Sequence, residues 1–513
     1  MRTTEGLIMP VLAAAFPRHA ERLFRLASSR WTWCIVAVLF VVLREIGPGL
    51  DDLRRSLGDT DDATRLIQVR EFMAGAGWWN LTLPRVGFTE PLISHWSRLI
   101  DAPIAILLWA FGLVMSADAA EVAVRIVWPS LLLIVFIRLL VREAEIRAGQ
   151  VGALVFMVMA ITCLSGLFQF RMGRIDHHNA MILGTVAGLL ALVRAFDRPA
   201  VGYGAGALMG LGLAVGYEPL ALTLPMLALA ALATVFRKQW LDGLRNALVA
   251  MAGVLAAALV LTTPPWRLAS VACDALALNM VLLVSAGALT CEILARHGRT
   301  RPLWQRLGIL GAGGLVAGLA YLSAGPVCIG GPFAMVSLEA KQLWLADVSE
   351  TQTLFSAVTA NPTPMIVFAI FALAGIAAAA ATWRTEPTPA NLAMLVLVAG
   401  SLLPAVWQTK FIPYASWLAA FALALRIAAR KETANLSALS TRLIAIMALN
   451  QSTLALLVAP LLLMAGTAKD VVNGKAMLGA EDCRTTSAIT ALAKLPTGKM
   501  ANEIDLGPFI VAL

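Results

Sequence analysis

Apolar runs of about twenty residues, separated by short polar breaks, recur along almost the whole chain. A helix needs roughly 20 apolar residues to cross about 30 Å of hydrocarbon. Thirteen stretches come near that length: 31–47, 119–141, 150–169, 179–195, 199–217, 219–236, 244–263, 276–295, 306–324, 364–383, 390–407, 411–427 and 441–466. A shorter run, Pro103 to Ser116, reads as an interfacial or re-entrant helix rather than a span. The pattern predicts an all-α polytopic membrane protein: a basic segment 1–30, a membrane domain 31–466, and a short outer segment 467–513.

Charge gives the orientation. With the Arg-rich head (Arg18, Arg22, Arg25, Arg30) in the cytoplasm, alternation sends most Lys and Arg to cytoplasmic loops, including Arg237, Lys238 and the 296–306 cluster. The short loops of the other face hold only Arg171, Arg174, Arg267, Lys341 and Lys410. This asymmetry predicts thirteen spans with the N-terminus inside and the C-terminus outside; a bacterial-type inner (plasma) membrane belongs to the functional reading given below. Residues 31–47 read as an uncleaved signal-anchor, because the Arg-rich stretch follows the apolar run Leu7–Phe16 instead of preceding it.

Composition agrees. Of 513 residues, 59% are hydrophobic and 14% charged, where a soluble chain carries about 25% charged residues. The net charge of +9 lies in short loops, which argues against a nucleic-acid partner. Cys34, Cys163 and Cys291 fall within spans as small apolar fillers. Cys273, Cys328 and Cys483 fall outside; a bridge between Cys273 and Cys328 is one option, and their odd number leaves at least one outer Cys over.

Three outer loops hold most of the remaining chemistry. The first, 48–102, carries eight acids and six arginines, centred on Gly58-Asp59-Thr60-Asp61-Asp62-Ala63-Thr64-Arg65. Leu66, Val69, Phe72 and Met73 are spaced for a helix lying on the membrane, with Asp59 or Asp61 near its start. Three acids in four residues repel unless a cation is present. A divalent metal with oxygen ligands is one reading, and N-capping plus solvated charge is the other. Farther on, His95 and Arg98 flank Trp96 at the membrane edge, suited to a phosphate, a sugar or an interfacial anchor.

The second loop, 170–179, brings Asp176, His177 and His178 to the outer surface, so three of the five histidines lie in these two loops. In an extended turn Asp176 and His178 would point the same way, as half of a metal site. The third loop, 325–362, opens with Gly and Pro turns and continues through Trp344 to Val348-Ser349-Glu350-Thr351-Gln352, a mobile, partly helical segment. Glu350 is a third ligand or a solvated acid. Lys410 holds a lipid phosphate or snorkels. Glu218, before Pro219, is an acid at membrane depth and a functional candidate on that ground.

These residues resemble the GT-C superfamily of membrane glycosyltransferases, most closely the catalytic subunit of oligosaccharyltransferases. Asp59, six residues before Arg65, stands where that family's first Asp precedes its Arg. Asp176-His177-His178 occupies the place of the second acidic motif, and Val348–Gln352 is similar to the family's Glu motif. Lys410 stands where the family carries an Arg. The chain departs at His178, where the family has an acid, at Lys410, and in 467–513, which contain no Trp of a Trp-Trp-Asp sequon motif.

The resemblance implies inverting transfer of a sugar or oligosaccharide from a polyprenyl-(di)phosphate donor to a lipid, polysaccharide or protein acceptor at the outer membrane face. In that reading Asp59, Asp61, Asp176, His178 and Glu350 hold Mg²⁺ or Mn²⁺. Asp59, Asp176 and Glu350 are the catalytic acids. Asp62, Arg65, His95, Arg98, His177, Lys410 and Glu218 contact donor, lipid or phosphate. The rival readings are a transporter or lipid flippase, or an inactive paralogue. The C-terminal segment is expected as a helix over Ser487–Leu495 and a strand from Ala501, a minimal or truncated α/β domain.

Overall fold

The computed structural model describes residues 57–87, 90–429, 436–464, 485–492 and 505–513, with isolated positions at 35, 39, 53, 496, 498 and 500. The basic N-terminal segment, nearly all of the expected first span, Cys34, Cys483 and the expected strand start at Ala501 lie outside the described residues.

The described chain is all-α. Its longer helices are α1 (Thr60–Met73), α2 (Arg98–Gly112), α3 (Ala117–Ile161), α4 (His178–Ala195), α5 (Val201–Val215), α6 (Leu220–Phe236), α7 (Leu241–Thr262), α8 (Leu278–Ile293), α9 (Leu303–Ala324), α10 (Pro362–Thr385), α11 (Pro389–Trp407), α12 (Ile412–Ala428), α13 (Leu436–Leu449) and α14 (Gln451–Met464). Among the described residues, eight helices are long and apolar enough to cross a membrane, or nine counting the pair Thr441–Leu449 and Gln451–Met464, bent by 58°. The chain is an integral membrane protein. α5 and α6 are apolar but shorter. α3 runs 45 residues and breaks at Ala148–Gly149, where Gly149 takes φ 67°, so it accommodates two of the expected spans.

α12 is the most enclosed of the long helices, with Trp417 and Phe421 fully buried. It lies against the break after α3, where Gly166 lets the Trp417 ring approach closely: a β-carbon there would sit 2.8 Å from the indole. Trp417 Nε1 donates to the Gly166 carbonyl at 3.0 Å. Gln451, at the start of α14, accepts from the Ser165 backbone N–H at 2.9 Å and donates to the Ser165 hydroxyl at 2.7 Å. Polar links of this kind join helices where hydrocarbon offers no hydrophobic drive.

A second, smaller core lies at one end of the bundle, built by α1, α2, the start of α3 and a C-terminal helix α15 (Gly507–Ala512). α1 is not the membrane-surface helix expected. Residues 62–69 are all buried, because Asp62, Arg65 and Gln68 find buried partners inside the protein. The C-terminal run is also a helix rather than a strand. Pro508 enters its first turn, and Phe509 and Ala512, three residues apart, bury one face beside α1. The only sheet among the described residues is a two-strand hairpin in the first outer loop, β1 (Thr82–Leu83) and β2 (Leu92–Ile93).

Of the options the outer cysteines left open, one is realised: Cys273 and Cys328 form a disulfide that ties the loop before α8 to the turn after α9. Cys163 and Cys291 are buried free thiols.

Candidate active site

The site begins at the N-terminus of α1. Asp59 Oδ1 accepts from the backbone N–H of Asp61 and Asp62, both at 3.0 Å, while Asp62 Oδ2 accepts from Asp59 N–H at 3.1 Å. This reciprocal cap satisfies donors that a helix start otherwise leaves open. Gly58 permits it, since a β-carbon there would lie 2.2 Å from Asp62 Oδ2.

The second loop closes on this cap. Gly173, at φ 98°, turns the chain and donates to the Arg125 carbonyl at 2.8 Å. Arg174 then enters between three carboxylates, pairing with Asp59, with Asp62 at 3.0 Å, and with Asp176. The backbone N–H groups of Ile175 and Asp176 donate to Asp62 Oδ1 at 2.7 and 3.0 Å, and His178 N–H donates to Asp176 Oδ1 at 3.0 Å. Burial would raise Asp59, but the charge and hydrogen bond of Arg174 hold its carboxyl below the usual range. For Asp62 and Asp176 burial prevails over Arg174, and both carboxyls are pushed up. Arg174 itself stays charged, the three acids outweighing its own burial.

A second cluster lies alongside, around His178 at the start of α4. Its Nε2 stands 3.8 Å from Asp61 Oδ2 and 3.7 Å from Glu350 Oε2, and its Nδ1 stands 3.3 Å from Glu218 Oε2. His177 stacks on His178 with centroids 4.6 Å apart and meets the Trp96 ring at 5.3 Å. Its Nδ1 has no hydrogen-bond partner among the described residues. Burial, then the positive charges of His178 and Arg65, hold the His177 imidazole well below its usual range and therefore neutral. Glu350 keeps about a third of its side chain accessible (35%), and burial of its carboxyl among neighbouring groups pushes it up to about 6. Glu218 is raised by burial and lowered by more through His178 and Lys410, so it remains ionised. Lys410 Nζ lies over the rings of Phe333, at 5.2 Å, and Phe411, at 5.7 Å.

Two arrangements emerge from the expected ligand set. Asp61, His178 and Glu350 face one another, whereas Asp59 and Asp176 are held by Arg174. Ligating atoms of Asp61, His177 and His178 lie within 4.8 Å of one another, as do those of Asp59, Asp62 and Asp176. Asp176 and His178 therefore do not share a direction: the chain turns into α4 between them.

Arg65 and Arg98, expected on the substrate, are instead enclosed. Asp101 Oδ1 accepts from Arg65 at 2.6 Å, and its Oδ2 accepts from Gln68 at 2.6 Å and Arg98 at 2.9 Å. All three charged side chains are at most 1% accessible. Arg98 also donates to the Asn80 carbonyl at 2.5 Å, anchoring the first outer loop to α2. His95 sits at the rim, with Nε2 3.6 Å from Asp274.

The architecture has solved counterparts. It matches the oligosaccharyltransferase of Archaeoglobus fulgidus in its apo form, with a TM-score of 0.59 and 14% identity over 83% of this chain and 55% of that one. The same enzyme in complex with an inhibitory peptide and a dolichol-phosphate matches at 0.60, with 14% identity over 83% and 55%. Its complex with Zn and sulfate matches at 0.55, with 14% identity over 82% and 53%. The fold is that of the oligosaccharyltransferases. The chain spans about half the length of these oligosaccharyltransferase chains. No family model and no curated relative matches it by sequence.

Within this oligosaccharyltransferase fold, Arg174 is the site residue that sequence reading passed over. It appeared only as one of a few basic residues in outer loops. Its partners Asp59 and Asp62 lie 115 and 112 residues away, beyond any local motif.

Proposed function

We propose that this chain is a membrane glycosyltransferase that moves a sugar or oligosaccharide from a polyprenyl-(di)phosphate donor to an acceptor at the outer face of a bacterial-type inner membrane. The observation that carries the reading is the gathering of Asp61, His177, Glu218 and Glu350, drawn from separate loops and helix ends, around His178, with Lys410 near enough to act on Glu218. The shared fold supports it, since the archaeal enzyme has been captured with a dolichol-phosphate and with a sequon peptide. A topology of thirteen crossings with a cytoplasmic N-terminus belongs to this proposal. So does an acceptor that is a lipid, a polysaccharide or a protein.

A divalent ion fits the donor set. Carboxylate and imidazole groups converge at ligating spacing, and His177 offers an imidazole nitrogen without a partner among the described residues. Of the expected ligands, Asp61, His178 and Glu350 stand outside the grip of Arg174 and would hold Mg²⁺ or Mn²⁺, whereas Asp59 and Asp176 are paired with that guanidinium. Such an ion supplies Lewis-acid neutralisation of a leaving phosphate. Glu350, with its carboxyl near 6, orients the acceptor nucleophile and takes its proton. Lys410, held over two aromatic rings and close enough to lower Glu218, presents a positive charge to phosphate. Asp62, Arg65 and Arg98 shape the site from behind.

The test is release of polyprenyl phosphate from a polyprenyl-diphosphate oligosaccharide by protein in nanodiscs, with and without membrane extract as acceptor. Wild type should release it. Glu350→Gln should not, while unfolding at or above the wild-type temperature. Equal release by both proteins would overturn the reading.

A further inference from the structure

We propose that Arg174 is the resident cation of the Asp59–Asp62–Asp176 trio, so that a divalent ion is taken up alongside it by Asp61, His177 and His178. The proposal rests on the transfer reading above and says which of the converging residues hold the ion.

The two clusters differ in how completely they are satisfied. In the trio, one guanidinium pairs with all three carboxylates, and its second nitrogen also donates to Gln169 Oε1 at 2.7 Å. Each carboxylate accepts at least one backbone N–H besides: two at Asp59, three at Asp62 and one at Asp176. The side chains of Asp62 and Asp176 are at most 1% accessible. A hydrated ion entering here must displace a bridging guanidinium and leave it buried without a counter-charge, a state that is strongly unfavourable.

The neighbouring cluster has the opposite character. Asp61 is 38% accessible, and its carboxylate stands 3.8 Å from His178 Nε2, too long for a hydrogen bond. Glu350 stands off at 3.7 Å. His177 Nδ1 has no partner among the described residues. Two imidazoles and a carboxylate, with a second carboxylate at the edge, form a mixed N/O set that suits Mn²⁺ better than the all-oxygen shell Mg²⁺ favours. Arg174 therefore acts as a positioning residue. It joins the first and second outer loops without a metal and directs the ion to the partly open cluster.

The experiment is Mn²⁺ titration of the full chain in detergent, read by EPR with nitrogen couplings, beside thermal unfolding with and without chelator. Wild type should bind one Mn²⁺ with two imidazole nitrogens and lose in chelator only the stabilisation that this single ion supplies. His177→Gln should lose one nitrogen coupling and bind about tenfold more weakly, a 1.4 kcal/mol change. Arg174→Gln should gain a second Mn²⁺ equivalent and become more chelator-sensitive than wild type, whereas Arg174→Lys should behave as wild type. Wild-type Mn²⁺ whose couplings are unchanged by His177→Gln would overturn the proposal. So would an Arg174→Gln protein that binds one ion and is no more chelator-sensitive than wild type. Absence of Mn²⁺ binding by wild type would also overturn it while leaving the transfer reading to the Glu350→Gln assay.

Discussion

Asp101 and Glu350 are both outer-loop acids beside cations, yet their surroundings make them opposites. Asp101 is fully enclosed, and both of its oxygens receive short hydrogen bonds from Arg65, Gln68 and Arg98. Glu350 stands 3.7 Å from its nearest cation, His178, with a third of its surface accessible. The first arrangement leaves neither oxygen of Asp101 for a ligand to join. The second leaves room for a reacting group or an ion, and its looseness is what qualifies it as chemistry. In a polar loop at a membrane edge, completeness of pairing separates framework from function better than residue type does.

That contrast can be broken most directly at Asp101. Asp101→Ala leaves two arginines buried without a counter-charge and should cost about 3–5 kcal/mol, read as a large drop in unfolding temperature or a failure to accumulate folded protein. A wild-type melting curve would show that the cluster is not framework. Replacing Cys273 and Cys328 together by Ser should cost less, about 2–4 kcal/mol, and should loosen the loop that carries Glu350. Protease sensitivity of residues 325–362 rising only in this variant would confirm that the bridge supports the reactive side of the comparison.

Glu350→Gln should do the reverse of Asp101→Ala, lowering transfer by about 100-fold or more with no loss of melting temperature. The pH dependence sharpens this. Because the folded-state carboxyl sits near 6, above the ordinary value of 4.5, folding favours its protonated form. Its contribution to stability is fully present below about 4.5 and is lost as pH rises through about 6. Melting temperatures of wild type and Glu350→Gln should therefore converge at low pH and separate above pH 6, with the variant the more stable. The smallest effect is expected at the rim: His95→Gln removes a half-exposed contact with Asp274 and should change stability by less than about 0.5 kcal/mol.

What the sequence made legible was local or periodic. The apolar runs marked the helices, the Asp59–Asp62 spacing marked a helix cap, and two outer cysteines allowed a bridge. Pairing across long separations stayed hidden. Nothing in Arg171-Met172-Gly173-Arg174 announces that Arg174 reaches acids more than a hundred positions upstream. Arg65 looked like a phosphate ligand because its partner, Asp101, follows it by 36 residues, whereas Arg98 and Asp101 stand three apart on one helix and their pairing was within local reach. The run Phe509-Ile510-Val511 carries strand-forming residue types, and only its packing beside α1, with Pro508 opening the turn, makes it helical. Except at Arg98, the misreadings came from tertiary partners overriding local preference.

The Cys273–Cys328 bridge has a consequence for how the chain is made. The segment between the two cysteines contains the α8–α9 hairpin, so the sulfur atoms can meet only after both helices have been threaded and the second cysteine has returned to the face that holds the first. Oxidation is then a covalent record of completed insertion. A molecule with α9 stranded on the wrong side carries two separate thiols. A correctly threaded one, cut by protease in the 294–302 turn, keeps its two halves on a single non-reducing gel band.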